Sequence, residues 1–174
     1  FVLVDMWNIH FIESWLERAK KVTIEAVVPA LEAARSMGLT IVHAPCPEVA
    51  RQYCQLARHS PPPQVPAPGW PPAEFRRREG QYAAFRGPRD QPPGIHFRWG
   101  PLAPRLAMSP AITVLEDDEV VATGQQLHDL LEARRILHLI YCGFATNWCI
   151  MHRNYGVRAM GRRGYNVILR RRSP

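Results

Sequence analysis

The sequence predicts a three-layer α/β/α domain built around a mainly parallel sheet of five strands. Three observations carry that prediction: five short apolar runs, helical patterns between them, and a length of 174 residues that suits one domain. Apolar runs bounded by turn residues read as strands buried on both faces, and repeated strand-helix-strand units close with right-handed crossovers.

The first run is Phe1 to Asp5. Ile12 to Met37 follows with helical composition, interrupted at Pro29, which a helix tolerates in its first turn or as a kink. Gly38 supplies the stop, and Leu39 to Ala44 is the second run. Residues 45 to 110 break the pattern. They hold 15 of the 17 prolines and far exceed an ordinary connection, which predicts an extended excursion over the surface or a linker, with a short helix near Ala73 to Arg86. Ala111 to Leu115 is the third run. A helix over Gln125 to Arg135 then places Leu127, Leu130 and Leu131 on one stripe. Leu137 to Cys142 is the fourth run, a helix over Asn147 to Met160 starts after Thr146 as N-cap, and Tyr165 to Leu169 is the fifth.

Composition narrows the function classes. No apolar run reaches the roughly 18 residues that a spanning helix needs, and the chain opens on a core-like strand in place of a signal peptide, so no membrane partner and a cytoplasmic setting are expected. The net charge of +7 is carried almost wholly by arginine, lysine occurring only at Lys20 and Lys21. The arginines gather in two knots, Arg76 to Arg78 and Arg162 to Arg172, without interleaved aromatics on one face, so a solvated surface is expected and no nucleic acid. The four cysteines (Cys46, Cys54, Cys142, Cys149) are too sparse for a disulfide scaffold and form no zinc knuckle; free thiols follow. The chain begins with Phe, so an upstream segment is expected to be missing from it.

In open α/β sheets, ligands bind beyond the carboxyl ends of strands where strand order reverses. Asp5 ends the first run, so it either delivers a carboxylate to that crevice or caps a turn. Tyr141 to Cys149 runs from strand through a Gly-containing turn into a helix, placing the Cys149 thiol in the first helical turn, where unpaired N–H groups favour a thiolate and can hold an oxyanion. A lone helical cysteine is more often a small core residue.

Four segments in order resemble the isochorismatase-like cysteine hydrolases. Phe1-Val2-Leu3-Val4-Asp5-Met6-Trp7-Asn8 is similar to that family's opening strand, which usually continues Asp-Met-Gln-Asn. Val28 to Arg35 with Gly38 resembles its first helix and turn, Gly143 to Cys149 its Gly-x-x-Thr-x-x-Cys nucleophile turn, and Gly164 to Val167 its next strand. The resemblance implies a doubly wound, Rossmann-type sheet and hydrolysis of a C–N bond in a small amide-type substrate through a Cys149 thioester, with Asp5 as acid and base. It further implies an oxyanion hole at the N–H groups of Ala145 and Cys149, and a non-proline cis peptide joining Phe144 to Ala145. No cofactor and no metal are implied: the family's zinc cluster after the second strand is not matched by Ala44-Pro45-Cys46-Pro47, and His10, His43, His59, His96, His128, His138 and His152 show no zinc spacing.

The departures from the family matter as much. Its catalytic lysine follows the third strand, where this chain is read to have Glu116 in the run Glu116-Asp117-Asp118-Glu119. A carboxylate beside Asp5 and Cys149 opposes their ionisation. The run reads as a solvated loop, as a carboxyl group facing the pocket, or as part of a hard-metal site; an arginine near the sulfur would replace the missing cation. Trp7 stands at the family's glutamine and, with Phe11, Phe144 and Trp148, either lines a substrate pocket or belongs to the core. The alternative to a hydrolase is a catalytically silent relative that keeps the fold as a ligand-binding or oligomeric scaffold. The chain stops after its fifth strand, and a sheet edge left open there is expected to be covered by a partner, as in a homo-oligomer, or by the proline-rich excursion.

Overall fold

The computed structural model describes residues 1–61, 72, 74, 80–84 and 100–169. Five parallel strands, β1 (Val2–Val4), β2 (Val42–Ala44), β3 (Glu119–Val120), β4 (His138–Gly143) and β5 (Asn166–Leu169), lie in the order β3-β2-β1-β4-β5. From β1 the chain builds outward to β3 on one side, then crosses to β4 and β5 on the other. The reversal therefore falls between β1 and β4, where Val4 is in register with Gly143.

Strand alternation divides the interior into two layers. Val2, Val4, Val42, Ala44, Leu139 and Tyr141 face a core completed by Leu127, Leu130 and Leu131 of α4 (Gly124–Ala133). Leu3 and Cys142 face the opposite core, with Val27, Leu31 and Ala34. That second layer is the long helical region expected before β2. It comprises α1 (Glu13–Val22), one π turn (Thr23–Val27) and α2 (Val28–Ser36), with Pro29 in the first turn of α2, where its missing N–H costs little. The leucine stripe expected in α4 is the one that packs, and a reciprocal cap opens it: Thr123 Oγ1 accepts from Gln126 N at 3.2 Å, while Gln126 Oε1 accepts from Ala122 N at 2.9 Å.

Two elements differ from expectation. Ala111 to Leu115 is not a strand; the third strand is Glu119–Val120, in register with Val42 and His43. The acidic run concealed it, because Asp118 and Glu119 are buried and paired, only Glu116 and Asp117 being exposed. Asp118 takes Arg35 of α2 and His43 Nε2 (2.9 Å), whereas Glu119 takes Arg134 after α4 and His59 Nε2 (3.2 Å). Asp118, just before β3, and Glu119, its first residue, are thus each held by an arginine from a different helical region. The helix expected over Asn147 to Met160 is also divided. A π turn (Thr146–Ile150) begins from Ala145, not from Thr146 as cap, and the chain turns at Arg153 to Gly156 before α5 (Val157–Arg162). The break buries Tyr155, whose hydroxyl donates to Pro45 O at 2.9 Å, and sets Asn154 against Gly124, whose N–H it accepts at 3.0 Å.

After β2, α3 (Pro47–Ala50) and a 3-10 segment (Cys54–Arg58) begin the proline-rich stretch. The helix expected near Ala73 to Arg86 falls mostly outside the described residues, as do the arginines at 76–78 and 170–172; within that span Gly80–Tyr82 forms a 3-10 turn. The stretch returns beside β1: Ser109 N donates to Met6 O at 2.7 Å, and Asn8 Oδ1 accepts from Ala107 N at 2.8 Å.

Gly143 closes β4 with φ 131°, and a Cβ there would overlap the Val4 carbonyl. Gly143→Ala must part β1 from β4 or force the strained φ. Unfolding in urea is expected to show a loss of about 3 kcal/mol, the scale of overpacked and strained positions.

Candidate active site

The reversal of strand order brings together two strand ends. β1 stops at Val4, and Asp5 follows with φ 44° and 3% exposure. Its N–H donates to Ala44 O at 3.3 Å, and Phe144 N donates to Val4 O at 3.1 Å, so backbone hydrogen bonds fix where the carboxylate and the turn after β4 leave the sheet. The Phe144–Ala145 peptide is cis, at the bond expected from the sequence. The π turn that follows carries the half-buried Cys149; none of the four cysteines is bridged.

Asp5 and Cys149 meet. Burial, then the Asp5 carboxylate beside it, pushes the Cys149 thiol up to about 12, against the opposing pull of Arg153 and of the Ala145 N–H. At rest the sulfur is therefore protonated. The helix-start effect expected to favour thiolate is outweighed, and the cause is burial and Asp5, not Glu116.

The cation at this site is Arg153. Its Nε donates to Asp5 Oδ2 at 3.0 Å and its Nη2 lies 2.9 Å from the same oxygen. Burial opposes the guanidinium charge, but Asp5, Tyr155 and Cys149 more than offset it and hold Arg153 above its usual range. Tyr155 and Cys46 complete the surroundings: burial, then Asp5, raises the phenol, while burial leads the rise of the Cys46 thiol, to which Asp5 also contributes.

Beside this centre the expected pocket residues form one aromatic cluster. Ring centroids of Trp7 and Phe144 lie 5.6 Å apart, and His10 is tilted against Trp7 (4.7 Å) and stacked with Phe11 (4.6 Å) and Trp15 (5.4 Å). Trp15 meets Trp148 edge-on at 5.7 Å. Burial holds His10 below its usual range, so it enters the cluster as a neutral ring. Trp7, Phe11, Phe144 and Trp148 are all partly exposed, which leaves apolar ring surface accessible next to the sulfur-bearing turn.

Glu116 is not brought to the site. It is exposed and precedes β3, at the amino-terminal end of a parallel sheet whose carboxyl-terminal ends carry Asp5 and the Cys149 turn. Its carbonyl accepts from Arg58 Nη2 at 2.7 Å. Assigning Ala111 to Leu115 as the strand had shifted the register; the carboxyl end of β3 falls at Val121 and Ala122, which are apolar. His152 is exposed. Among the described residues, no group of three or more His, Cys, Asp or Glu side chains is placed to hold a metal, and no helix is long and apolar enough to cross a membrane.

Sequence reasoning did not single out Arg153, Tyr155, Cys46 or Trp15. Arg153 was recoverable, since it lies four residues beyond Cys149 and so one turn along the same helical face. Tyr155 and Cys46 reach the centre only through tertiary folding.

A five-stranded parallel sheet with flanking helices and a sulfur-bearing turn at its point of reversal defines a doubly wound α/β protein. The family model described as Isochorismatase domain matches residues 1–171, and the chain belongs to that family, which supports a hydrolase-like function in general. Neither a curated protein nor a solved structure matches the chain.

Proposed function

We propose that this protein is a cysteine hydrolase that cleaves the C–N bond of a small amide. The observation that carries the reading is the convergence on Asp5 of the Cys149 thiol and the Arg153 guanidinium. A thiol that is protonated at rest needs a base at the moment of attack, and the neighbouring Asp5 carboxylate supports that role.

The sulfur attacks the amide carbonyl while its proton passes to Asp5, and the negative charge moves to the carbonyl oxygen, held by the N–H groups of Ala145 and Cys149. Collapse breaks the C–N bond as Asp5 returns the proton to the departing amine, leaving a Cys149 thioester. Water, deprotonated by Asp5, attacks the thioester; the C–S bond breaks and the sulfur recovers the proton. The aromatic cluster suits the apolar part of an uncharged or cationic substrate.

The raised thiol favours a second reading, a catalytically silent ligand-binding scaffold. Incubation with a panel of small primary amides separates the two. Ammonia release with an acyl adduct mapped to Cys149, both absent in Cys149→Ala, is the expected result. No ammonia from any amide, with Cys149 alkylated no faster than the exposed Cys54, overturns the hydrolase reading.

A further inference from the structure

We infer that Arg153 is the positioning residue of this centre: from the nucleophile's own helical segment, its guanidinium fixes the Asp5 carboxylate and balances the charge exposed when the Cys149 thiol gives up its proton. The inference rests on the reading of Cys149 and Asp5 as nucleophile and base, and names the group that lets the pair work inside a buried site.

Geometry comes first. Both close guanidinium contacts, 3.0 Å from Nε and 2.9 Å from Nη2, fall on Asp5 Oδ2. Arg153 N donates to Cys149 O at 3.0 Å, so one backbone hydrogen bond sets the spacing between cation and sulfur. Asp5 is 3% exposed, and water can screen it little.

The charge count follows. With the guanidinium present, thiol plus carboxylate and thiolate plus carboxylic acid are both neutral overall. The oxyanion, formed while Asp5 holds the proton, is neutral as well. Remove the guanidinium and each of these states carries one uncompensated negative charge in a mostly dry site, which is costly. The other groups around this centre cannot replace it: Asp5 is an anion, and Tyr155 and Cys46, the latter with Glu48 nearby, bring no positive charge. Because an arginine does not deprotonate in proteins, this balance holds across the working pH range.

The test is the pH dependence of Cys149 alkylation by iodoacetamide in the full chain, read by peptide mass with Cys54 as internal reference, for the parent, Arg153→Gln and Arg153→Lys. Arg153→Gln is expected to slow Cys149 alkylation about tenfold at each pH between 7 and 9, leaving Cys54 unmoved. Arg153→Lys keeps the charge and is expected to stay within about threefold of the parent. An unmoved profile in Arg153→Gln overturns the inference, and so does an Arg153→Lys profile displaced by tenfold or more, which also decides the matter alone should the glutamine variant not fold. The alkylation needs no substrate, so a failure of amide hydrolysis and a failure of the Arg153 role give different results.

Discussion

Asp5→Asn is expected to separate two properties that ordinarily fall together. Amide hydrolysis should drop by about 10²- to 10⁴-fold, the usual worth of a positioned general acid and base, because asparagine accepts no proton from the thiol and returns none to the amine. Alkylation of Cys149 should move the other way. The Asp5 charge helps to push the thiol up to about 12, whereas Arg153 pulls it down; removing the anion and keeping the cation lowers the midpoint, so labelling near neutral pH becomes faster. Parallel assays of ammonia release and iodoacetamide labelling check the pair of outcomes. Slower labelling, or hydrolysis unchanged from the parent, removes Asp5 from the role of base.

Asp118→Asn is expected to cost about 3 kcal/mol of unfolding free energy, measured in urea at neutral pH, because it leaves the Arg35 charge and the buried His43 without their anion. Arg35 keeps some access to water, which places the loss toward the lower end for a broken buried pair. The acid dependence has a definite sign. Burial pushes the Asp118 carboxyl up, but His43, the Leu115 N–H and Arg35 outweigh it and hold the group below its ordinary range. A carboxyl depressed by folding stabilises the fold fully above its unfolded value of about 3.9, and that stability is lost as pH falls through the folded value. The parent should therefore lose stability below about pH 4 more steeply than the variant, whose curve lacks this component.

Much of the fold was legible in hydrophobic pattern, and what escaped has a common physical origin. Four of the five strands lie within or overlap their apolar runs, because Val, Leu and Ile bounded by Gly or polar residues have few other uses. β3 escaped because its side chains are charged, and a buried carboxylate cannot be told from a solvated one until its partner is known. Arg35 and Arg134 are remote from it in sequence. The same error in strand register carried Glu116 into the candidate site. Asp5 and Cys149, by contrast, could be paired in advance, since each terminates or follows an apolar run and the parallel crossover carries both to one end of the sheet. The unpredicted break at Arg153 to Gly156 is a matter of tertiary docking: Tyr155 and Asn154 find partners at Pro45 and Gly124 that no local pattern announces.

The bare backbone of Gly143 against Val4 has a consequence for how such a molecule can diversify. Because main chain meets main chain at that point, the separation of acid and sulfur is set by the peptide framework itself, and exchanging the neighbouring rings leaves that spacing in place.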